Sequence, residues 1–475
     1  MNSVATALCL CTLGVCCAFA QPTPEGGQSS RVRTKVLFAF DMEDFIHPES
    51  ANSVLALAKT LELEGVRGHF STVAYFAKTL VDRKRFDVLD ALKMHHIGTQ
   101  TLYHSLHPNI TEYTDIEDYA SARERAMREE CEGIGMIKAA TGHERLWTSV
   151  LPGNGNTIVA LYLYADLGIP FFCGGGGMYD DVTRCGDIWY CNQRHLTYAY
   201  EFRVEELTPG CPPVDIAEKL DKLSRRKVAV LFMHPCMLNC EEFWDGVNFD
   251  RGNLHEFGKW KLPKLRSKSD RDEFLRRYRD LVRTVKADPR FEIADAPALD
   301  AEKAPRRVIT RDDVPTIRAA LNEHFGPIRH PGEWCVADAF CAAIRFLRGE
   351  KTFAPGKVYG FLHEPQGVTS AVTVSVEDIK AAAGKVDLSG FLPAQIQVGG
   401  VKVGPADFLF AALEVLAGDA KVVKLVPREQ IGDIRHYLPT MADAQFKDTW
   451  IYTPDYQDSW TSNRLRWQFW TFRYE

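Results

Sequence analysis

Three short clusters in this 475-residue chain carry the residue types that acid–base or metal chemistry needs. Asp41-Met42-Glu43-Asp44 crowds three carboxylates into four residues, which is costly unless something positive neutralises them. Alternation along an extended chain sends Asp41 and Glu43 to one side, and a loop beginning there frees Asp44 to turn in. The second cluster, Gln100 to Pro108, offers His104 and His107 in a stretch that follows Gly98. Two imidazoles and one carboxylate can hold a metal and leave a position for water or substrate. The third is His234, directly after the apolar run Val228–Met233. An imidazole there can act as a general acid near neutral pH. Plainer readings exist for each: a solvated acidic turn, one packed and one exposed histidine, a histidine capping a strand. Their shared position joins them, because sites in parallel α/β folds lie just past the carboxyl ends of strands.

The elements that must position them follow from hydrophobic pattern. Lys35–Phe40 reads as a buried strand, 51–64 as a helix, Gly68–Val73 as a strand and 84–94 as a helix. This β-α-β-α rhythm predicts a parallel sheet. Further strands are expected at 170–173, 228–233 and 291–293, and helices at 117–139, 156–167, 214–223 and 270–287. The domain limits expected are 34–296 for the α/β part, a linker at 297–310, a helix-rich second domain at 311–448 and an aromatic-rich tail at 449–475. Within the second domain, 337–349 and 406–418 share six of thirteen residues, a faint internal repeat of two amphipathic helices. The tail aromatics could stack on sugars, but packing is the commoner use of such residues.

Composition narrows the function. Hydrophobic residues make up 45% and charged residues 25%, with a net charge of -6, which fits a globular protein and no nucleic-acid partner. Residues 1–20 lack charge, are apolar and end in Ala18-Phe19-Ala20, which reads as a cleaved signal peptide before a flexible start at 21–33. A secreted, periplasmic or cell-surface location is therefore expected, with no stable membrane span after cleavage. Export permits disulfides, and Cys173, Cys185, Cys191 and Cys211, together with Cys236 and Cys240, are the candidate pairs.

The clusters resemble the motifs of the polysaccharide deacetylases, carbohydrate esterase family 4, over roughly residues 33–296. Asp41-Met42-Glu43-Asp44 resembles the Asp-x-Glu-Asp form of the family's first motif. His96-Ile97-Gly98 through His104 resembles the second, with Gln100 where the family carries its first ligand histidine. Leu151-Pro152-Gly153-Asn154 stands at the third motif without its arginine, and Phe232-Met233-His234 matches the last. The resemblance implies a distorted (β/α) barrel and metal-assisted hydrolysis of N-acetyl groups on a polysaccharide or cell-wall glycan. It implies Asp41 as base, His234 as acid, and a divalent metal, zinc by preference, held by Glu43 or Asp44 with His104, His107 standing in for the missing histidine. Gln100, Pro152, Gly153 and Asn154 would then face substrate. The family's substrate-binding aspartate falls near Gly174–Gly177, Asp180 and Asp181. The departures at Gln100 and Val150 keep a second reading open, a catalytically degenerate fold that only holds glycan. The segment 391–409, with its Leu-Pro and Val-x-Val, is similar to pseudomurein-binding-type repeats, which implies a wall- or glycan-binding module.

Overall fold

A computed structural model describes residues 33–174, 183–185, 188–192, 204–211, 215–249, 258–302, 306–328, 334–418, 421–432 and 451–474. The leader, the start up to Val32 and the glycine run beyond Gly174, with Asp180 and Asp181, lie outside the described residues.

The sheet grows around β1 (Thr34–Met42), whose apolar run is buried along most of its length. Strands buried on both faces belong in a parallel sheet covered by helices. β2 (His69–Thr72), β3 (His96–Thr99), β4 (Thr148–Val150) and β5 (Phe171–Gly174) follow β1 in parallel succession. β6 (Thr183–Cys185) and β7 (Ile188–Asn192) extend that edge, β7 parallel to β5 and β6 antiparallel to β7. On its other side β1 pairs in parallel with β8 (Val228–Met233), while β9 (Phe291–Ile293) pairs with its first residues. The chain's last strand, Phe472–Tyr474, returns antiparallel to β6. Among the described residues β8 and this last strand end the sheet without pairing to each other, so it is an open, distorted (β/α) barrel. Within β3, Gly98 is required, because a Cβ there would stand 2.0 Å from Thr148 Oγ1.

Helices cover the sheet where the pattern predicts them: Pro48–Leu63, Tyr119–Thr141, Ile158–Asp166, Ile216–Leu223 and Lys268–Ala287. The first packs Val54, Leu57, Ala58 and Leu61 inward, and starts at Pro48 with His47 as N-cap, its ring accepting the Glu49 N–H. The expected linker is partly structured. Helix Ala296–Ala301 takes up its first residues, with Ala296 and Leu299 buried in the barrel core and the Ala294 N–H bonded to the Val36 carbonyl.

The second domain is mainly helical. The two repeated segments are helices Val336–Leu347 and Pro405–Ala417, which pack together with Phe340 and Phe408 edge to face. Each carries a buried aspartate at its third position, Asp338 and Asp407, whose carboxylate accepts the backbone N–H of the residue before the helix. Asp338 also receives Arg473, and Asp407 receives Gln430. The Val-x-Val segment forms the hairpin Ile396–Val398/Val401–Val403, turning through Gly399 at φ +56°. The tail packs rather than presenting rings: Leu465, Phe469 and Phe472 enter the barrel core, Trp467 and Trp470 the second core. Among the described residues no helix is long and apolar enough to cross a membrane.

The expected Cys236–Cys240 disulfide is corrected: the two are free thiols one helical turn apart. The side chains of Cys185 and Cys191 lie outside the described residues.

Candidate functional site

The carboxyl ends of β1, β3 and β8 deliver the site. Asp41 is the second-last residue of β1 and buried, and Glu43 follows the strand, also buried. β3 ends at Thr99, and the next five residues form a tight loop in which Thr101 and His104 hold left-handed φ values of 63° and 55°. Such angles cost about 1–3 kcal/mol each outside glycine and persist only where surroundings enforce them. Three contacts enforce them here. The carbonyls of Thr101 and Leu102 accept the unpaired first N–H groups of helix Ala74–Asp82, at 3.0 and 3.2 Å. Thr101 Oγ1 accepts the His104 N–H at 3.0 Å.

The loop thereby turns two side chains onto Glu43. His104 Nε2 lies 3.0 Å from Glu43 Oε2, and Gln100 Nε2 donates to the same oxygen at 3.3 Å. His234 brings Nε2 to 3.8 Å from that atom, its ring held edge-on between Phe232 and Phe243. His234 is the opening of the site, its side chain 15% exposed where Glu43 and His104 are 4% and 3%. A further member comes from Asp245, at the start of the short helix Trp244–Phe249. Its Oδ2 accepts Ser105 Oγ at 2.9 Å and lies 3.7 Å from His104 Nε2.

Three expected site residues are placed elsewhere. Asp44 turns toward the following helix: Oδ1 accepts the N–H groups of Ile46 and His47, and Oδ2 accepts Ser50 Oγ at 2.6 Å. It is a loop-closing residue rather than the metal carboxylate. His107 gives Nδ1 to Glu112 at 2.8 Å, within the capping box of Ile110–Thr114, so it is held on that helix start. Gly153 sits at φ +59° beneath Ile451, where a Cβ would stand 2.6 Å from Ile451 Cγ2. The tail thus covers the turn Pro152–Asn154, and Pro152 is buried. The Asn154 side chain lies outside the described residues.

Electrostatics follow the geometry. Burial pushes the Glu43 carboxyl up, but the neighbouring His234 and His104 outweigh it and hold it below the usual range. Burial lowers His104, and the Glu43 charge and hydrogen bond, with Asp245 and Asp41 behind them, more than reverse this. Asp245 has burial and the Glu43 charge against it and is pushed up to about 6. Within the cluster the neighbours therefore favour the proton on His104 and Asp245 and the charge on Glu43.

The donor set does not fit the implied metal. Among the described residues no three His, Cys, Asp or Glu side chains are grouped to hold an ion. Gln100 turns its amide N–H, not an acceptor, toward Glu43, and its Oε1 is buried without a hydrogen-bond partner. An amide in this position gives a metal nothing of the basicity an imidazole supplies.

No family model matches the sequence, and no curated protein matches it. Solved structures do align. One is a Mycobacterium smegmatis protein assigned as a polysaccharide deacetylase, at 15% identity over 60% of this chain and 97% of that one, with a TM-score of 0.36. Another is a Bacillus anthracis pseudoenzyme of the CE4 family, at 12% identity over 43% of this chain and 56% of that one, TM-score 0.26. A third, the 4-alpha-glucanotransferase of Thermococcus litoralis, aligns at 11% identity over 58% of this chain and 41% of that one, TM-score 0.39. At these values the alignments carry no assignment of activity.

Proposed function

We propose that this chain is a catalytically degenerate, exported polysaccharide-deacetylase-type protein that holds an N-acetylated glycan at its strand ends without a resident metal. One observation carries the reading: Gln100 donates its amide to Glu43 where a histidine should supply a lone pair. The oxygen that would anchor a cation is instead filled by Gln100 and His104. What remains suits binding. His234 stands at the opening as a donor and acceptor for sugar hydroxyls, and Phe243 beside it offers an apolar edge.

A hydrolytic reading has one observation in its favour. Glu43 and Asp245 are buried beside His104, with His234 3.8 Å from Glu43, and positive charge there would relieve the two carboxylates. In that reading Asp41 is the base and His234 the acid.

Metal content and acetate release separate the two. The purified full-length protein, dialysed against zinc or cobalt, is expected to carry no stoichiometric metal and to release no acetate from chitooligosaccharides or N-acetylated peptidoglycan, while binding them. His234→Ala is expected to weaken that binding about tenfold, roughly 1.4 kcal/mol. Gln100→His is expected to gain metal affinity. Stoichiometric metal or acetate release in the natural protein would remove the binding-only reading, and absence of glycan binding would remove both.

A further inference from the structure

Beside His104 lies a partly open pocket of about 30 Å³ whose lining includes Leu102, His104, Asn109, Tyr113, Glu129 and Glu130. Two buried polar atoms of these residues have no hydrogen-bond partner, His104 Nδ1 and Tyr113 Oη. A third polar group, the Glu130 carboxyl, is fully buried, takes Tyr164 Oη at 2.6 Å and receives the backbone N–H of Leu102. Leaving a buried donor unsatisfied costs about 1–3 kcal/mol, so each such atom requires an explanation. A water needs roughly 10–15 Å³ and two to four polar partners, and this cavity supplies both.

The geometry points to one internal water bound between His104 Nδ1, Tyr113 Oη and Glu130, which makes Tyr113 and Glu130 positioning residues for His104. The water accepts the Nδ1–H and donates to the carboxylate or the phenol oxygen. A partner at one ring nitrogen fixes what the other does. Holding the proton at Nδ1 keeps the ring oriented with Nε2 on Glu43 and Asp245. The same carboxyl ties Leu102 to helix Tyr119–Thr141, so the strained loop and the ring it carries are braced by one residue. The site thus has a second layer that no motif marks, and the inference stands whether the site binds glycan or hydrolyses it.

The test reads the ring directly. In full-length protein labelled with ¹⁵N-histidine, the His104 signals are assigned by their loss in His104→Asn. The natural protein is expected to show a hydrogen-bonded Nδ1–H proton resonance. Tyr113→Phe and Glu130→Leu are each expected to shift or abolish it, and Glu130→Gln, which keeps an acceptor, to preserve it. A crystal structure is expected to show one water within hydrogen-bond distance of Nδ1. A dry cavity, or an Nδ1 signal unchanged in both Tyr113→Phe and Glu130→Leu, overturns the proposal. Tyr113→Phe removes only a hydroxyl, so the test survives if Glu130→Leu fails to fold.

Discussion

Histidines gather at both ends of the parallel sheet, and the two groups are bonded in different ways. At the amino end, His69 sets Nδ1 against the Phe38 carbonyl at 3.3 Å and accepts the Ala296 N–H on Nε2 at 2.9 Å. His95 accepts the Gly68 N–H and reaches the Ala58 carbonyl. His143 reaches the His95 carbonyl, and His96 pairs with Asp295 while stacking on His69. At the carboxyl end, Glu43, His104, His234 and Asp245 meet side chain to side chain, from four separate stretches of sequence, beside a backbone in two left-handed conformations. His69, His95 and His143 meet backbone groups and brace the fold, while His96 is the exception, paired with the Asp295 carboxylate. His104 and His234 face carboxylates from other segments, the setting in which proton exchange is favoured.

The largest expected difference is mechanical. His69→Ala removes a fully buried ring and leaves two backbone partners unpaired, so it should cost about 3–4 kcal/mol in urea unfolding. A loss below about 1 kcal/mol would mean that the amino-end group is not a brace. Acidification should separate the ends next. Burial holds His69 down at about 3 and His95 down at about 4, and lowers His143 too. The unfolded chain, with histidines near 6.5, then takes up protons that the folded chain refuses. Stability therefore falls as pH drops from about 6.5 toward 4, by roughly 1.4 kcal/mol per pH unit for each of His69 and His95. His95→Gln should flatten the slope by that amount, and an unchanged slope would break the contrast.

The carboxyl end should show the opposite sign, more weakly. Asp245 at about 6 binds its proton more tightly folded than unfolded, so between about pH 6 and 4 it adds stability as pH falls. Asp245→Asn keeps an acceptor for Ser105 and removes the charge facing Glu43. It should raise stability at pH 8 by about 1–2 kcal/mol and leave it nearly unchanged near pH 4. A uniform shift at both values would mean that packing rather than charge is being measured.

Much of the barrel was legible. The apolar runs at β1, β8 and β9 and the amphipathic stretches of the long helices mark themselves locally, and three of the four converging residues sit at or near motif positions. The short strands β3 and β4 and helix Ala74–Asp82 were not legible, since His-Ile-Gly-Thr and Thr-Ser-Val form no apolar run and that helix lacks a capping side chain, its first N–H groups being satisfied by the Thr101 and Leu102 carbonyls. Asp245 gave no signal either. It lies eleven residues beyond His234 and meets the site through Ser105 and His104, contacts spanning about 140 residues.

The sequence by itself determined which chain segments are buried strands and which carboxylates and imidazoles follow them, because burial and alternation are local properties. It also set an amide, Gln100, four residues before His104. Only the tertiary structure decided between neighbours: Glu43 faces His104 while Asp44 closes its own loop, and His104 enters the site while His107 stays on Glu112. Those choices depend on where a second loop ends and which backbone groups pin it. Contacts of about 3 Å between distant segments are fixed by packing and chain closure rather than by the residues adjacent in sequence.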